Sequence, residues 1–257
     1  MKEQILLRNE RDGIVTLTLN QPEKRNALSA RMIEAMQRAL DDLQQDDDAR
    51  VVVIAGAGPG FCSGHDLREV RSADAEARRR LFEDCSKMMT SIVRHSRPII
   101  ARVHGVATAA GCQLVASCDL AVASEAASFA TPGVNIGLWC HTPQVAVSRN
   151  IAPKHAMEML LTGDFIDAHT AERFGLVNCV VPAEDLDQEV DRLASRILSK
   201  PSAAITDGKA SFYEQLGLSL EEAYGLTSGI MSELAGGDDS KEGISAFLEK
   251  RSPRWRS

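Results

Sequence analysis

The chain has 257 residues, 44% hydrophobic and 25% charged, with a formal net charge of −7 and a pI near 5.4. That length can bury a full core as one large domain, or as one domain with an appendage, and the acidic balance argues against a nucleic-acid or anionic-membrane partner. The opening MKEQILLRNERDG is charged throughout and no apolar run approaches ~18 residues, so neither a signal peptide nor a membrane span is expected.

ILLRNERDGIVTLTLN is two alternating runs around Arg11-Asp12-Gly13, a β-hairpin pattern. Ser29 is placed to cap a helix in which Met32, Ile33, Met36, Leu40 and Leu43 recur at helical spacing. VVVIAG (51–56) is β-branched and apolar on every side, which predicts a strand buried on both faces. Beyond PGFCSGHDL, the residues Leu81, Cys85, Met88, Met89, Ile92 and Val93 mark another amphipathic helix. RPIIARVHG then predicts a strand, AAGCQLVASC a helix, DLAVAS and ASFAT short strands, TPQVAVSRN and PKHAMEMLLTG helices, and LVNCVV a last strand. Thr142 is the expected cap of the TPQVAVSRN helix and Pro143 its first residue.

From Pro182 onward four helical patterns follow without a strand: 184–199, 202–216, 219–235 and 240–250. Asp239 and Glu242 form a capping-box pattern for the last. Alternation up to about residue 182 predicts α/β architecture. The helical tail carries apolar stripes (Leu186, Val190, Leu193, Ile197; then Leu216, Leu220, Leu226, Ile230) that must pack on the body or on another subunit. The six cysteines form no Cys-x-x-Cys pair, so they read as reduced core thiols of a cytoplasmic protein, with no metal site.

Two stretches are candidates for chemistry. PGFCSGHDL and HGVATAAGCQL each run from a strand end through small residues into a helix start. Such junctions present backbone N–H groups with a helix dipole behind them, and two aimed at one point would stabilise a carbonyl oxygen that gains charge. Tight strand–helix turns that use glycine for packing would give the same pattern.

The series LNQPEKRNALS, FCSGHDL, RPIIARVHGVATAAGCQLVASCDLAVAS, SFATPGVNIGL and AMEMLLTGDFIDAHTAERFGLVNCVVP, in this order, resembles the crotonase (enoyl-CoA hydratase/isomerase) superfamily. The resemblance covers nearly the whole chain. It implies an α/β fold, a spiral of ββα units over 1–182, and a helical C-terminal trimerisation region over 183–257. It implies an acyl-CoA thioester substrate, with coenzyme A as part of that substrate and no separate cofactor, and assembly as a homotrimer or dimer of trimers. The two carbonyl-polarising N–H groups fall on His65 and Ala110, the second usually glycine in the family. Lys24 and Arg25 match the phosphate and adenine segment. Ala27, Ser63, Asp66 and Leu67 complete the expected CoA-binding set, and Arg68, Arg71, Lys250 and Arg251 are further cations within reach.

Hydratases of the family use two glutamates, one acting on water and one on the α-carbon. Here those positions hold Gln113 and Gly133. An amide can hold water but has no useful pKa for proton transfer, so hydration is expected to be weak. His65 and His141 are the candidate replacements. SGHD resembles the methylmalonyl-CoA decarboxylase branch, although Cys140 stands where that branch has a tyrosine. His141 occupies the position of the nucleophilic aspartate in the chlorobenzoyl-CoA dehalogenase branch, at a helix start that disfavours positive charge. The expectation is a lyase of enoyl-CoA hydratase type. The rivals are another acyl-CoA enzyme of this fold (decarboxylase, isomerase or thioesterase) and a non-catalytic acyl-CoA-binding protein.

Overall fold

Strand and helix patterning sets the body of the protein. The computed structural model describes residues 4–256; Met1–Glu3, the start of the charged N-terminal segment, and Ser257 lie outside the described residues. Strands β1 (Leu6–Arg11) and β2 (Ile14–Leu19) form the expected hairpin, antiparallel from Arg11↔Ile14 to Leu6↔Leu19. A 3-10 turn at Pro22–Lys24 leads to α1 (Ala30–Gln44). The Ser29 hydroxyl accepts the Met32 N–H at 3.2 Å, and the five apolar residues read from the sequence are those α1 buries. Next come β3 (Val51–Gly56), β4 (Gly60–Cys62), α2 (Leu67–Ser72), α3 (Ala75–Val93), β5 (Ile99–Val103), β6 (Val106–Thr108), α4 (Ala110–Ser117), β7 (Leu120–Ser124) and β8 (Ser128–Ala130). A 3-10 turn at Pro132–Ile136 precedes α5 (His141–Asn150), α6 (Pro153–Thr162), β9 (Ile166–Asp167), α7 (Ala168–Phe174) and β10 (Cys179–Val181).

The strands divide between two sheets. One has six strands in the order β1-β2-β3-β5-β7-β10, parallel apart from the β1–β2 hairpin; the other has four in the order β4-β6-β8-β9. The pairs β3/β4, β5/β6 and β7/β8 each give one strand to each sheet. Helices follow each pair, so the chain climbs as a spiral of strand–strand–helix units. Strand β3 is buried on both faces, as its continuous apolar run predicts. Val52 and Ile54 join the main core with α1, α3 and α4, while Val51 and Val53 face a second, smaller core.

The second core decides between the two places expected for the first stripe of the tail. Helix α8 (Leu186–Leu198) lies on the sheet, burying Leu186, Val190 and Ala194 against Val51, Val53, Ile100 and Val122. Its stripe is therefore covered by the body and is not left for a neighbouring subunit. Helix α9 (Ser202–Gln215) is pinned to the body by Lys209, whose ammonium donates to Asp119 Oδ2 at 2.6 Å and to the Arg97 carbonyl at 3.0 Å. The Tyr213 hydroxyl donates to the other oxygen of Asp119 at 3.0 Å. Helix α10 (Leu220–Ala235) begins with a capping box of Ser219 and Glu222. Helix α11 (Asp238–Leu248) starts at Gly237 without a side-chain cap, against the Asp239/Glu242 pattern. Glu242 instead binds Arg251 in a bidentate pair, and Asp239 accepts the Arg256 N–H at 2.7 Å. Among the described residues no helix is long and apolar enough to cross a membrane.

One contact sets the geometry of the second sheet and the helices that leave it. Strands β4 and β6 pair in parallel, Gly60 opposite Val106 and Cys62 opposite Ala107, so the chain leaves both strands at the same end. Gly111, in the first turn of α4, then lies so close to β4 that a methyl group there would overlap the Cys62 carbonyl oxygen. Because backbone cannot yield as a flexible side chain would, Gly111→Ala is expected to destabilise the fold by about 3 kcal/mol or more. Urea unfolding of the variant measures this, and an unchanged midpoint would show that α4 is free to shift.

Candidate functional site

The loop before α1 is held by a residue that sequence reasoning passed over. Asn26 is fully buried, and its amide nitrogen lies 2.9 Å from both the Ala57 and Gly60 carbonyls and 3.1 Å from that of Phe61. Its Oδ1 accepts the Gln21 N–H at 2.9 Å. The amide thereby ties residues 21–28 to the turn before β4. The signal was present as a single amide between two cations and the buried pair Ala27-Leu28, and short loop spacing gives no clue to its partners. Arg25 and Asn26 both take positive φ, 51° and 53°. The Ser63 N–H donates to the Arg25 carbonyl at 3.0 Å, and Leu28 N–H to the Gly64 carbonyl at 2.8 Å. Lys24 and Arg25 are thus carried beside Ser63-Gly64-His65, both exposed and, among the described residues, in no ion pair.

Next to this loop the two strand–helix junctions meet. Gly64 has φ +85°, and a β-carbon there would lie 2.9 Å from the Thr108 carbonyl oxygen and 3.1 Å from the Ala110 nitrogen. The residue preceding His65 therefore lies against the Ala110 amide. Among the described residues neither the His65 nor the Ala110 backbone N–H has an acceptor within the chain. Two such donors side by side, one at the start of α4, can receive a carbonyl oxygen that gains negative charge. Ala109 supplies the turn with φ 51° and ψ −117°, a conformation that costs a residue with a β-carbon about 1–3 kcal/mol.

The buried side chains around the junctions are polar, and the acidic ones nearby, Asp66 and Glu69, belong to the start of α2. Gln113 is 4% exposed, with its Oε1 buried and without a hydrogen-bond partner. Helical side chains lean toward the N-terminus, so this amide lies over the turn that begins with Ala110. Thr131, fully buried with an unpartnered Oγ1, follows Ala130, whose carbonyl accepts the Ala109 N–H at 2.9 Å. Asp66 caps α2 by accepting the Arg68 N–H at 2.9 Å, and Leu67 is exposed at the start of that helix. The His65 ring stands edge-on to Phe82, its centroid 5.0 Å away. Burial holds this imidazole below the ordinary histidine pKa, opposed by its bond to the Leu28 carbonyl and by Glu69.

Gly133 lies in the 3-10 turn, where a β-carbon would meet Cys140 Sγ at 3.0 Å and the Leu138 carbonyl oxygen at 3.2 Å. A side chain there would be crowded by the neighbouring loop, which would have to give by a few tenths of an ångström. Burial raises the Cys140 thiol above its usual pKa, against a hydrogen bond from the Gly133 backbone, so little thiolate forms there. Helix α5 starts at His141 with Cys140 as its cap residue, so Thr142 and Pro143 fall inside its first turn. The exposed His141 ring lies 6.5 Å from that of Trp139, whose indole N–H donates to Gln144 at 2.7 Å.

The remaining cations separate by their partners. Arg251 is held by Glu242 and Glu249 in ion pairs of 2.6 Å each, unlike Lys24 and Arg25. Lys250 is exposed with φ 57°, and Arg68 and Arg71 are exposed on α2. Among the described residues no group of three His, Cys, Asp or Glu side chains could hold a metal ion.

Comparison with known proteins agrees with this architecture. The enoyl-CoA hydratase/isomerase family model matches residues 9–257. The chain is 46% identical over 247 residues to the mitochondrial enoyl-CoA hydratase domain-containing protein 3 of Rattus norvegicus, covering 96% of this chain and 82% of that protein. It is 32% identical to the crotonyl-CoA hydratase of Syntrophomonas wolfei, covering 99% and 98%. The crystal structure of an enoyl-CoA hydratase from Mycobacterium smegmatis superposes with a TM-score of 0.97 at 48% identity, covering 99% of this chain and 100% of that one. A spiral of paired strands, with two strand–helix junctions meeting at Gly64 and Ala110, is thus the fold of a known family, and the chain belongs to the enoyl-CoA hydratase/isomerase (crotonase) family.

Proposed function

We propose that the protein binds an acyl-CoA thioester and polarises its carbonyl between the His65 and Ala110 backbone N–H groups. The observation that carries this is the pair of free amides at adjoining junctions. Lys24 and Arg25, cationic and without ion-pair partners among the described residues, are assigned to the phosphates of the CoA, with Ala27, Ser63, Asp66 and Leu67 lining its path. Gln113 and Gly133 supply no carboxylate, so enoyl-CoA hydration is slow. The absence of a carboxylate at both positions favours as second reading a different acyl-CoA reaction on the same frame: decarboxylation, isomerisation or thioester hydrolysis. A binder without turnover is the third, and a panel of acyl-CoA esters separates these readings.

Assembly is proposed on the same basis. Phe212, Leu216, Leu220, Tyr224, Met231 and Phe247 of the last three helices and their connection are each at least 55% exposed. Apolar surface on that scale marks an interaction face, and a homotrimer or dimer of trimers would bury it.

Three outcomes follow. Calorimetry is expected to give micromolar-range affinity for acetoacetyl-CoA, weakened about tenfold when Lys24 and Arg25 are both made alanine. Absence of binding at millimolar ligand would overturn the reading. Crotonyl-CoA should be hydrated slower than by a two-glutamate hydratase, by roughly 10²–10⁴-fold for each missing group. A rate equal to such a hydratase, in protein freed of host enzyme, contradicts the role given to Gln113 and Gly133. Light scattering should report a trimer or hexamer at micromolar concentration, and a monomer would leave the exposed tail without its proposed cover.

A further inference from the structure

Within the acyl-thioester reading, on which this inference rests, we infer that the His65 imidazole is the proton acceptor of the site, taking a proton from the α-carbon of the bound acyl group at Nε2. Three observations lead there. The first is the tautomer. His65 Nδ1 lies 3.3 Å from the Leu28 carbonyl oxygen, which can only accept, so Nδ1 carries the ring hydrogen. Nε2 is therefore a bare lone pair, the form a base requires.

The second is that this lone pair has no partner among the described residues. Nε2 is buried and without a hydrogen-bond partner, and an unpaired buried acceptor costs folding free energy. Gln113 Oε1, on the adjoining junction, is buried and unpartnered in the same way. The amide accepts hydrogen bonds but takes no proton, which leaves the imidazole as the titratable member of the two. Phe82 stands edge-on to the ring, and burial favours the neutral form. Glu69 on α2, whose charge favours the protonated ring, offsets the charge formed when a proton arrives.

The third is position. The residue that carries this ring also supplies one of the two polarising amides, and an α-carbon is one bond from the carbonyl carbon. His141, the other candidate, is an exposed residue whose ring has no hydrogen bond among the described residues to fix its tautomer. The step balances without a co-reactant. The α-C–H bond breaks and its proton goes to Nε2. Its electron pair forms the new carbon–carbon double bond, and the carbonyl π pair moves onto the oxygen held by the His65 and Ala110 N–H groups. Return of a proton from the imidazolium to the carbon restores the thioester.

A saturated ester tests this without knowledge of the natural acyl group. In D2O the wild-type protein should exchange the α-protons of butyryl-CoA, followed by proton NMR. His65→Asn keeps the backbone amide and a side-chain N–H for Leu28 but removes Nε2. At butyryl-CoA concentrations that calorimetry shows to saturate each protein, its exchange rate should fall at least about 100-fold. Exchange at the wild-type rate in His65→Asn, or wild-type binding without exchange, would overturn the assignment. A wild-type protein that binds no butyryl-CoA would instead sink the acyl-thioester reading beneath it. Nitrogen NMR of histidine-labelled wild type needs no variant: a His65 ring with its hydrogen on Nε2 would also overturn the proposal.

Discussion

The approach of the α4 backbone to the Cys62 carbonyl governs the candidate site. Parallel pairing of β4 and β6 sends both chains out of the sheet at one end, and the missing side chain at Gly111 lets the helix close against the neighbouring strand. Without that contact the two junctions would be separate turns, each with an ordinary helix start. With it, the Ala110 amide comes against Gly64, and the Ala109 backbone is held in a region that residues with a β-carbon avoid. Packing of this kind is close to all-or-none, because backbone atoms cannot rotate away as side chains do.

Polar groups around the junctions divide into those that build the frame and those left without partners. Asn26 uses its whole amide on backbone groups, and Lys209 and Tyr213 both satisfy Asp119. Against that pattern, buried polar atoms of His65, Gln113 and Thr131 have no hydrogen-bond partner among the described residues, and the same is true of Gln21, Arg97 and His104 elsewhere in the frame. An unpartnered atom beside the two junctions is where a ligand or water would complete the hydrogen bonding. The same division holds on the surface, where Arg251 is locked between two glutamates and Lys24 and Arg25 are not.

Much of the fold was legible because burial writes a period into long elements. The helical spacing of α1 and α3 and the unbroken β-branched run of β3 gave their positions and buried faces. Strands β4 and β6, three residues each, and the two-residue β9 are too short to show a period, and α2 and the 3-10 turn at Pro132–Ile136 bury too little for an apolar stripe. Glycine and small residues marked the two junction stretches, and the family resemblance put the amides on His65 and Ala110, while the pairing of β4 with β6 is what brings the junctions together. Asn26 was missed since its four partners, Gln21 and Ala57 in loops and Gly60 and Phe61 in β4, share no sequence pattern with it. The cap of α5 failed for a related reason: Pro143 is tolerated anywhere in a first turn, so it did not fix the helix start at His141.

Helix α8 has a consequence for how the chain comes to be made. The valines and isoleucine on one face of the large sheet, Val51, Val53, Ile100 and Val122, are covered by residues 186–198. A ribosome releases those strands well before the helix that shields them. Until some 200 residues have emerged, the nascent chain carries an open, β-branched sheet face, a surface prone to association with other unfolded chains. The boundary near residue 182 that separates strands from helices in the sequence is therefore not a place where the protein can be cut into self-sufficient parts. Chaperone occupancy during synthesis should be concentrated in that interval.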